Sequence, residues 1–325
     1  MKILLDAVLP IFAIMFCGYL SGIFGIVTKS GSKSLNNYVF YVALPALLFL
    51  STATAPVRHL ANWSFISINL GGILASFIIA MMISKFVYKN DFSTSSLYGM
   101  NASYSTTGYM GIPLAIAVFG QEAALPAALA TLIHNIPVIT IVLLTFEVSR
   151  TMKNSESGKH VFEIAWDVLK PVIKNPLTIS VVAGIVIAIL EFELPTPMQT
   201  FAQLLADASG PTALFALGLG LVGQASSIKE FGMKNSEIAT IVVLKLLVQP
   251  LITFGLMMFV FEVDMLWGII AVLMSALPVG AGVYVFAQKY EKLEKQTSIG
   301  ILLSMVISIF TVSSLLIYFS QKITH

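Results

Sequence analysis

The chain has 325 residues, of which 57% are apolar and only 10% charged, with a formal net charge of +2 and a mean hydropathy of +0.91. Soluble domains run near a quarter charged, so these values exclude an ordinary water-soluble globule, and nucleic acid is not an expected partner. Apolar runs of about eighteen residues or more recur along the whole length, the mark of a polytopic membrane protein.

In chain order, charged and turn-rich breaks delimit ten predicted spans: 3–25, 34–54, 64–88, 97–119, 123–147, 176–192, 198–223, 237–261, 264–287 and 297–320. The first runs past Cys17 to Phe24 without a small-residue cleavage site, which reads as a retained helix and not a signal peptide. The second carries Pro45. The fourth holds "STTGYMGIPLAIA", residues 105–117, where Gly108, Gly111 and Pro113 follow the hydroxyls of Ser105, Thr106 and Thr107. Each Gly costs a helix about 1 kcal/mol and a Pro about 3 relative to Ala, so an interrupted helix is predicted there. His134 and Asn135 are adjacent in the fifth span. The loop 148–175 contains "KHVFEIAWDVLKPVIK", whose apolar stripe opposes Lys159, Glu163, Asp167 and Lys170; this predicts an interfacial helix anchored by Trp166. Asp207 and Pro211 fall in the seventh span and Lys245 in the eighth. A second interruption, "SALPVGAGVYVFA" (275–287), carries Pro278 and Gly280 in the ninth.

Fourteen of the eighteen Lys and Arg fall in the loops after the odd-numbered spans. By the positive-inside rule those loops are cytoplasmic and both termini are not. Prolines mark a duplication: Pro10 matches Pro176 and Pro45 matches Pro211 at an offset of 166, and Pro113 matches Pro278 at 165. Five spans per repeat place the second half upside down relative to the first. The predicted domains are therefore 1–147, a cytoplasmic connector 148–175, and an inverted repeat 176–325. Inverted repeats with matched broken helices are the architecture of secondary transporters. Irregular backbone at membrane depth is tolerated only where it lines a cavity or is buried in protein, and half-helix ends there aim partial charge at a solute.

On these residues the sequence resembles the auxin efflux carrier family over nearly its whole length: "MGIPL" (Met110 to Leu114), "LADASGPTALFALGL" (Leu205 to Leu219), "LKLLVQP" (Leu244 to Pro250), "ALPVGAGVYVFAQKY" (Ala276 to Tyr290), and Phe146-Glu147 closing the fifth span. The resemblance implies an all-α fold like that of sodium/proton antiporters. In it spans 1, 2, 6 and 7 form a scaffold, and spans 3–5 and 8–10 form a transport domain where spans 4 and 9 cross. It further implies a carrier of organic anions. Several family members have an asparagine at the position of Thr106; a threonine supplies one donor where an amide offers two and an acceptor.

The expected anion site therefore comprises Asn101, Ser105, Thr106, Thr107, Gly108, Tyr109, Met110, Gly111, Pro113, Pro278 and Gly280, facing Pro45 and Pro211. Two helix N-termini, each near half a positive charge, suffice for one carboxylate, consistent with spans that hold no arginine. Asp207, Lys245, His134 and Asn135 are the candidates for ion coupling or gating, since ionisable groups at membrane depth face a bundle interior or aqueous path. A structural ion pair and snorkelling of Lys245 stay open beside that reading. Asn69 and Gln249 are weaker candidates. No HExxH, P-loop or GxSxG motif occurs, and four histidines with one cysteine leave little for a metal, so neither an enzyme nor a cofactor is expected. The expected partners are a small organic anion and the bilayer. Proton or sodium coupling and a homodimer are left open, as is the alternative of a coupled carrier of a neutral or cationic solute, or a sodium/proton exchanger.

Overall fold

The computed structural model describes residues 9–54, 62–153, 174, 176–220, 222 and 236–323. The predicted interfacial helix and both extreme termini lie outside the described residues. Those described are almost wholly helical: α1 Leu9–Ile23; α2, built from Lys29–Tyr38, a π-helical turn Val39–Ala43 and Leu44–Ala53; α3 Trp63–Phe86; and α4, whose first half is Phe92–Ser103. The second half of α4 is a π turn Thr107–Gly111 continued by Ile112–Phe119, and α5 is Ala124–Lys153. Then come α6 Pro176–Ile189, α7 Thr196–Gly220, and α8 as Ser236–Val243, a π turn Leu244–Val248 and Gln249–Phe259. The broken α9 is Met265–Ala276 and Gly282–Tyr290, and α10 is Glu294–Ile323. Four stretches, in α3, α5, α8 and α10, are long and apolar enough to cross a membrane by length and composition.

The three π turns share one cause. Each ends two residues before a proline: Pro45, Pro113 and Pro250. A proline ring inside an α-helix clashes with the carbonyl four residues back and offers it no donor. Widening the preceding turn moves that carbonyl aside, and the next free N–H reaches five residues back, from Leu44 to Val39, Ile112 to Thr107 and Gln249 to Leu244. Pro113 is thus absorbed in a helical first turn and does not break α4.

Two packed groups result. Helix α1 lies along α7, α6 along α2, and α2 against α7; α3, α4, α5, α8, α9 and α10 pack among themselves. Glycines set the first group. A Cβ on Gly18 would sit 2.1 Å from the Phe215 carbonyl oxygen, and one on Gly184 2.7 Å from that of Phe49. The offset between Gly18 and Gly184, and between Phe49 and Phe215, is 166 in both cases. The α1–α7 contact therefore recurs as α6–α2.

The broken helices begin alike. Asp91 caps α4, its Oδ1 accepting from Thr94 N–H at 2.7 Å, and Asp264 caps α9 through Leu266 and Trp267 N–H. The first halves are each twelve residues long and end at Ser103 and Ala276. Counted from their caps the two halves run at an offset of 173, and they differ from the expected pairing of Pro113 with Pro278 at 165: Pro278 lies in the break of α9, whereas Pro113 lies beyond that of α4.

At the Asp91 end a cluster ties α4 to α9. Lys292 Nζ donates to Asp91 Oδ2 at 2.5 Å, Ser93 Oγ at 3.1 Å and Thr94 Oγ1 at 2.8 Å. It lies 5.9 Å above the Phe146 ring, which stacks on Tyr290 with centroids 3.7 Å apart. Partial burial of Asp91 disfavours its charge, but Lys292 and Thr94 outweigh that and hold the carboxyl below the usual carboxylate range. A carboxyl whose folded pKa is depressed stabilises the fold above its unfolded value, near 3.9, and loses that contribution as the pH falls through the folded one. Asp91→Asn should accordingly flatten the acid side of the melting profile below about pH 4. Because Asp91 is half exposed, the loss at neutral pH should stay near 1 kcal/mol or less; detergent melts from pH 7 to pH 3 measure both.

Candidate functional site

The breaks in α4 and α9 meet back to back. Residues 104–106 and 277–281 are non-helical, and Ser105 and Val279 form an antiparallel bridge. Thr106 N–H donates to the Pro278 carbonyl at 3.1 Å, and Gly280 N–H to the Tyr104 carbonyl at 3.0 Å. Val279 N–H donates to Ser304 Oγ of α10 at 3.0 Å. Much of the backbone that unwinding frees is satisfied across the crossing and by α10, as buried amides require. The interruption expected around Gly108, Gly111 and Pro113 is thereby corrected to Tyr104–Thr106. Gly108 and Gly111 lie in the π turn; Gly111 lets α4 close on α9, since a Cβ there would meet Met274 Sδ at 2.5 Å.

Three hydroxyls flank the bridge, all buried. Thr106 Oγ1 lies 3.1 Å from the Val279 carbonyl and 3.3 Å from that of Pro278, so its proton is committed to the crossing. Ser105 Oγ and Thr107 Oγ1 have no partner. The N–H groups opening the second half of α4 belong to the set without intrahelical acceptors. Two free hydroxyls beside a helix N-terminus form a donor cluster suited to an anion.

The cluster faces the other packed group. A Cβ on Gly108 would lie 3.8 Å from Leu44 Cδ1, next to Pro45, and one on Gly210, next to Pro211, 3.3 Å from Pro113 Cβ. The second half of α4 thus adjoins the helices that carry Pro45 and Pro211. Asn101 turns elsewhere: its Nδ2 donates to Leu97 O and to Thr297 Oγ1 of α10, both at 3.0 Å, leaving Oδ1 without a partner. Met110 is fully buried and belongs to the same core cluster as Leu44 and Leu48. The side chain of Tyr109 lies outside the described residues.

Behind the bridge lies a polar chain. Lys245 is fully buried because it sits in the π turn of α8, packed between the first halves of α4 and α9. Its Nζ donates to the Ser275 carbonyl at 2.6 Å and to Gln249 Oε1 at 2.7 Å, and Gln249 Nε2 donates to the Ser103 carbonyl at 3.1 Å. Snorkelling is excluded. Gln249, a weak candidate from sequence, is the hub; its position one turn after Lys245 and directly before Pro250 was the available signal. His134 is buried, its Nε2 3.3 Å from Asn69 Oδ1 and its Nδ1 without a partner; Asn135 Oδ1 also lacks one. Asp207 is not enclosed with Lys245. It stands on an exposed side of α7, where Gln203 Nε2 donates to it at 2.6 Å.

Comparison with known proteins adds the following. A family model described as "Membrane transport protein" matches residues 3–316. A protein of Rhizobium meliloti (strain 1021) named "Putative malonate transporter" is 30% identical over 311 residues, 95% of this chain and 93% of that one. The lysosomal cholesterol signaling protein of Mus musculus is 27% identical over 94% of this chain, which spans only 36% of that longer protein. Auxin efflux carrier component 5 of Arabidopsis thaliana is 22% identical over 94% of this chain and 93% of its own length.

Proposed function

The chain belongs to the membrane transport protein family that includes the auxin efflux carriers, and from that premise we propose that it carries small organic carboxylates across the cell membrane by alternating access. The observation that carries this reading is the pair of buried, unpartnered hydroxyls, Ser105 Oγ and Thr107 Oγ1, beside the bridged breaks of α4 and α9. A helix N-terminus favours negative charge, and two O–H donors give a carboxylate directed partners. The relative named for malonate supports the substrate class.

In this reading the ten spans are two inverted five-span repeats with both termini outside the cytoplasm. The loop charges and the recurrence of the α1–α7 contact as α6–α2 support it. Helices α3–α5 and α8–α10 move as one body against α1, α2, α6 and α7, sliding at the Gly108–Leu44 and Gly210–Pro113 contacts. The exchanger alternative is disfavoured by Lys245, which occupies the position between the breaks that a soluble cation would need.

Purified protein in liposomes, assayed with labelled malonate, acetate and benzoate, tests the proposal. One charge moved through about 100 mV is worth roughly 2.3 kcal/mol, so an uncoupled monoanion should accumulate about fifty-fold on the positive side. Ser105→Ala and Thr107→Val each remove a donor that the fold does not use. Both variants should melt like the wild type while carboxylate affinity falls by about 1.5–3 kcal/mol, the range for a hydrogen bond to a charged group. Wild-type affinity in both variants moves the site away from the crossing.

A further inference from the structure

Lys245 is a buried basic side chain with no carboxylate within ion-pair distance among the described residues. Such a group is costly at membrane depth and persists where it has a task. Its partners are one main-chain carbonyl and one side-chain amide oxygen. It touches Ser275 O directly and Ser103 O through Gln249, and these residues lie in the last turns of the first halves of α9 and α4. A helix C-terminus carries close to half a negative charge. Two of them converge here, so the ends facing Lys245 sum to about one negative charge.

The crossing has two opposite faces of charge. The N-terminal ends of the two second halves bring about one positive charge, and the C-terminal ends of the two first halves cancel it. Without a further cation the crossing is near neutral, and the carbonyl ends weaken the attraction of the N-terminal ends for a carboxylate. With the Lys245 ammonium seated on the carbonyl ends, the attraction for one negative charge is restored.

We propose that Lys245 is a built-in counter-cation: its ammonium fills, by covalent attachment, the position between the two helix C-termini that a soluble monovalent cation would occupy, so the carrier binds a carboxylate without a co-ion. This rests on the carboxylate reading above. Lys245 acts through the helix ends and is a positioning residue, and Gln249 relays it to the Ser103 carbonyl of α4.

The test compares wild type, Lys245→Ala and Lys245→Arg in choline chloride, sodium chloride and ethylammonium chloride. Two readouts are taken: malonate flux in liposomes and melting temperature in detergent. Wild-type flux and melting should agree within twofold and within 1–2 °C (roughly the error of a melt) across the three salts. Lys245→Ala should lose about a hundredfold of flux in choline and regain about tenfold or more in sodium or ethylammonium, with a parallel rise in melting temperature. Lys245→Arg should keep a cation-independent profile. Sodium-dependent flux or melting of the wild type overturns the proposal and needs no variant, so the test survives if Lys245→Ala fails to fold. Equal melting of Lys245→Ala in all three salts also overturns it. A wild type that moves none of the carboxylates while Lys245→Ala still melts higher in sodium or ethylammonium refutes the carboxylate reading and leaves the cation site standing.

Discussion

Gly218→Ala should leave little correctly folded protein in the membrane. The added Cβ would lie 1.8 Å from the Met15 carbonyl oxygen, 2.6 Å from its carbon and 2.9 Å from its Cα, all main-chain atoms of α1 that no rotamer change can move. Helices in lipid associate through close packing of small residues, and overpacking costs about 1–3 kcal/mol from a total of about 5–15. Gly18→Ala meets the opposite wall of the same contact, at 2.1 Å from Phe215 O, and should be nearly as damaging. Gly184→Ala should be milder, because its closest obstacle at 1.9 Å is Thr52 Oγ1, a side chain, with Phe49 O at 2.7 Å. Gly255→Ala, with nothing within 4 Å, should be neutral or slightly stabilising. Yield of monodisperse protein and melting temperature rank the four. A Gly218→Ala protein that melts like Gly255→Ala refutes the α1–α7 contact.

That contact also explains what was legible in the sequence. Apolar runs and loop charges gave the positions of the helices to within a few residues, because burial in lipid imposes long uninterrupted segments. The proline offset of 166 recurs in one pair of contacts, Gly18 with Phe215 and Gly184 with Phe49. It failed for α4 and α9. Proline and glycine report where a helix is stressed, yet a π turn absorbs Pro113 as it absorbs Pro45 and Pro250. The true break at 104–106 contains neither residue type, and what unwinds it is pairing with 277–281, a long-range partner that local pattern cannot register.

Site residues divided the same way. Lys245 was legible because a cation in an apolar run has few harmless explanations. Asp207 looked equivalent by that logic, but helical phase decides between enclosed and exposed, and the half-polar start of α7 left its phase ambiguous. Thr106 was singled out as a donor to the solute, whereas its hydroxyl serves the crossing; the free donors are its two neighbours. Side-chain direction in a non-helical break follows each residue's own dihedrals, so three consecutive hydroxyls could not be sorted before the bridge was seen.

Gly280→Val should abolish transport in a protein that still folds. A Cβ at Gly280 would lie 2.6 Å from Tyr104 Cδ1, 2.7 Å from Cε1 and 3.0 Å from the Ser105 carbonyl oxygen. The Tyr104 ring can swing, but Ser105 O is main chain, and Gly280 N–H is itself bound to Tyr104 O at 3.0 Å. Two further methyl groups would therefore force the bridge apart and carry Ser105 and Thr107 out of register with the α4 N-terminus. A misplacement of about 1 Å in a positioned constellation costs on the order of a hundredfold. The α1–α7 and α6–α2 contacts lie in the other packed group, so yield and monodispersity should hold. Two comparisons separate geometry from simple destabilisation. Gly300→Ala, whose nearest neighbour would be Ile241 at 3.7 Å, should transport normally. Thr106→Val removes one hydroxyl bond but keeps the Thr106 N–H to Pro278 O, and should lose only about 1 kcal/mol. Flux through Gly280→Val at the level of Thr106→Val means that the bridged crossing can open without cost to transport, and the donors must then be sought on α2 and α7.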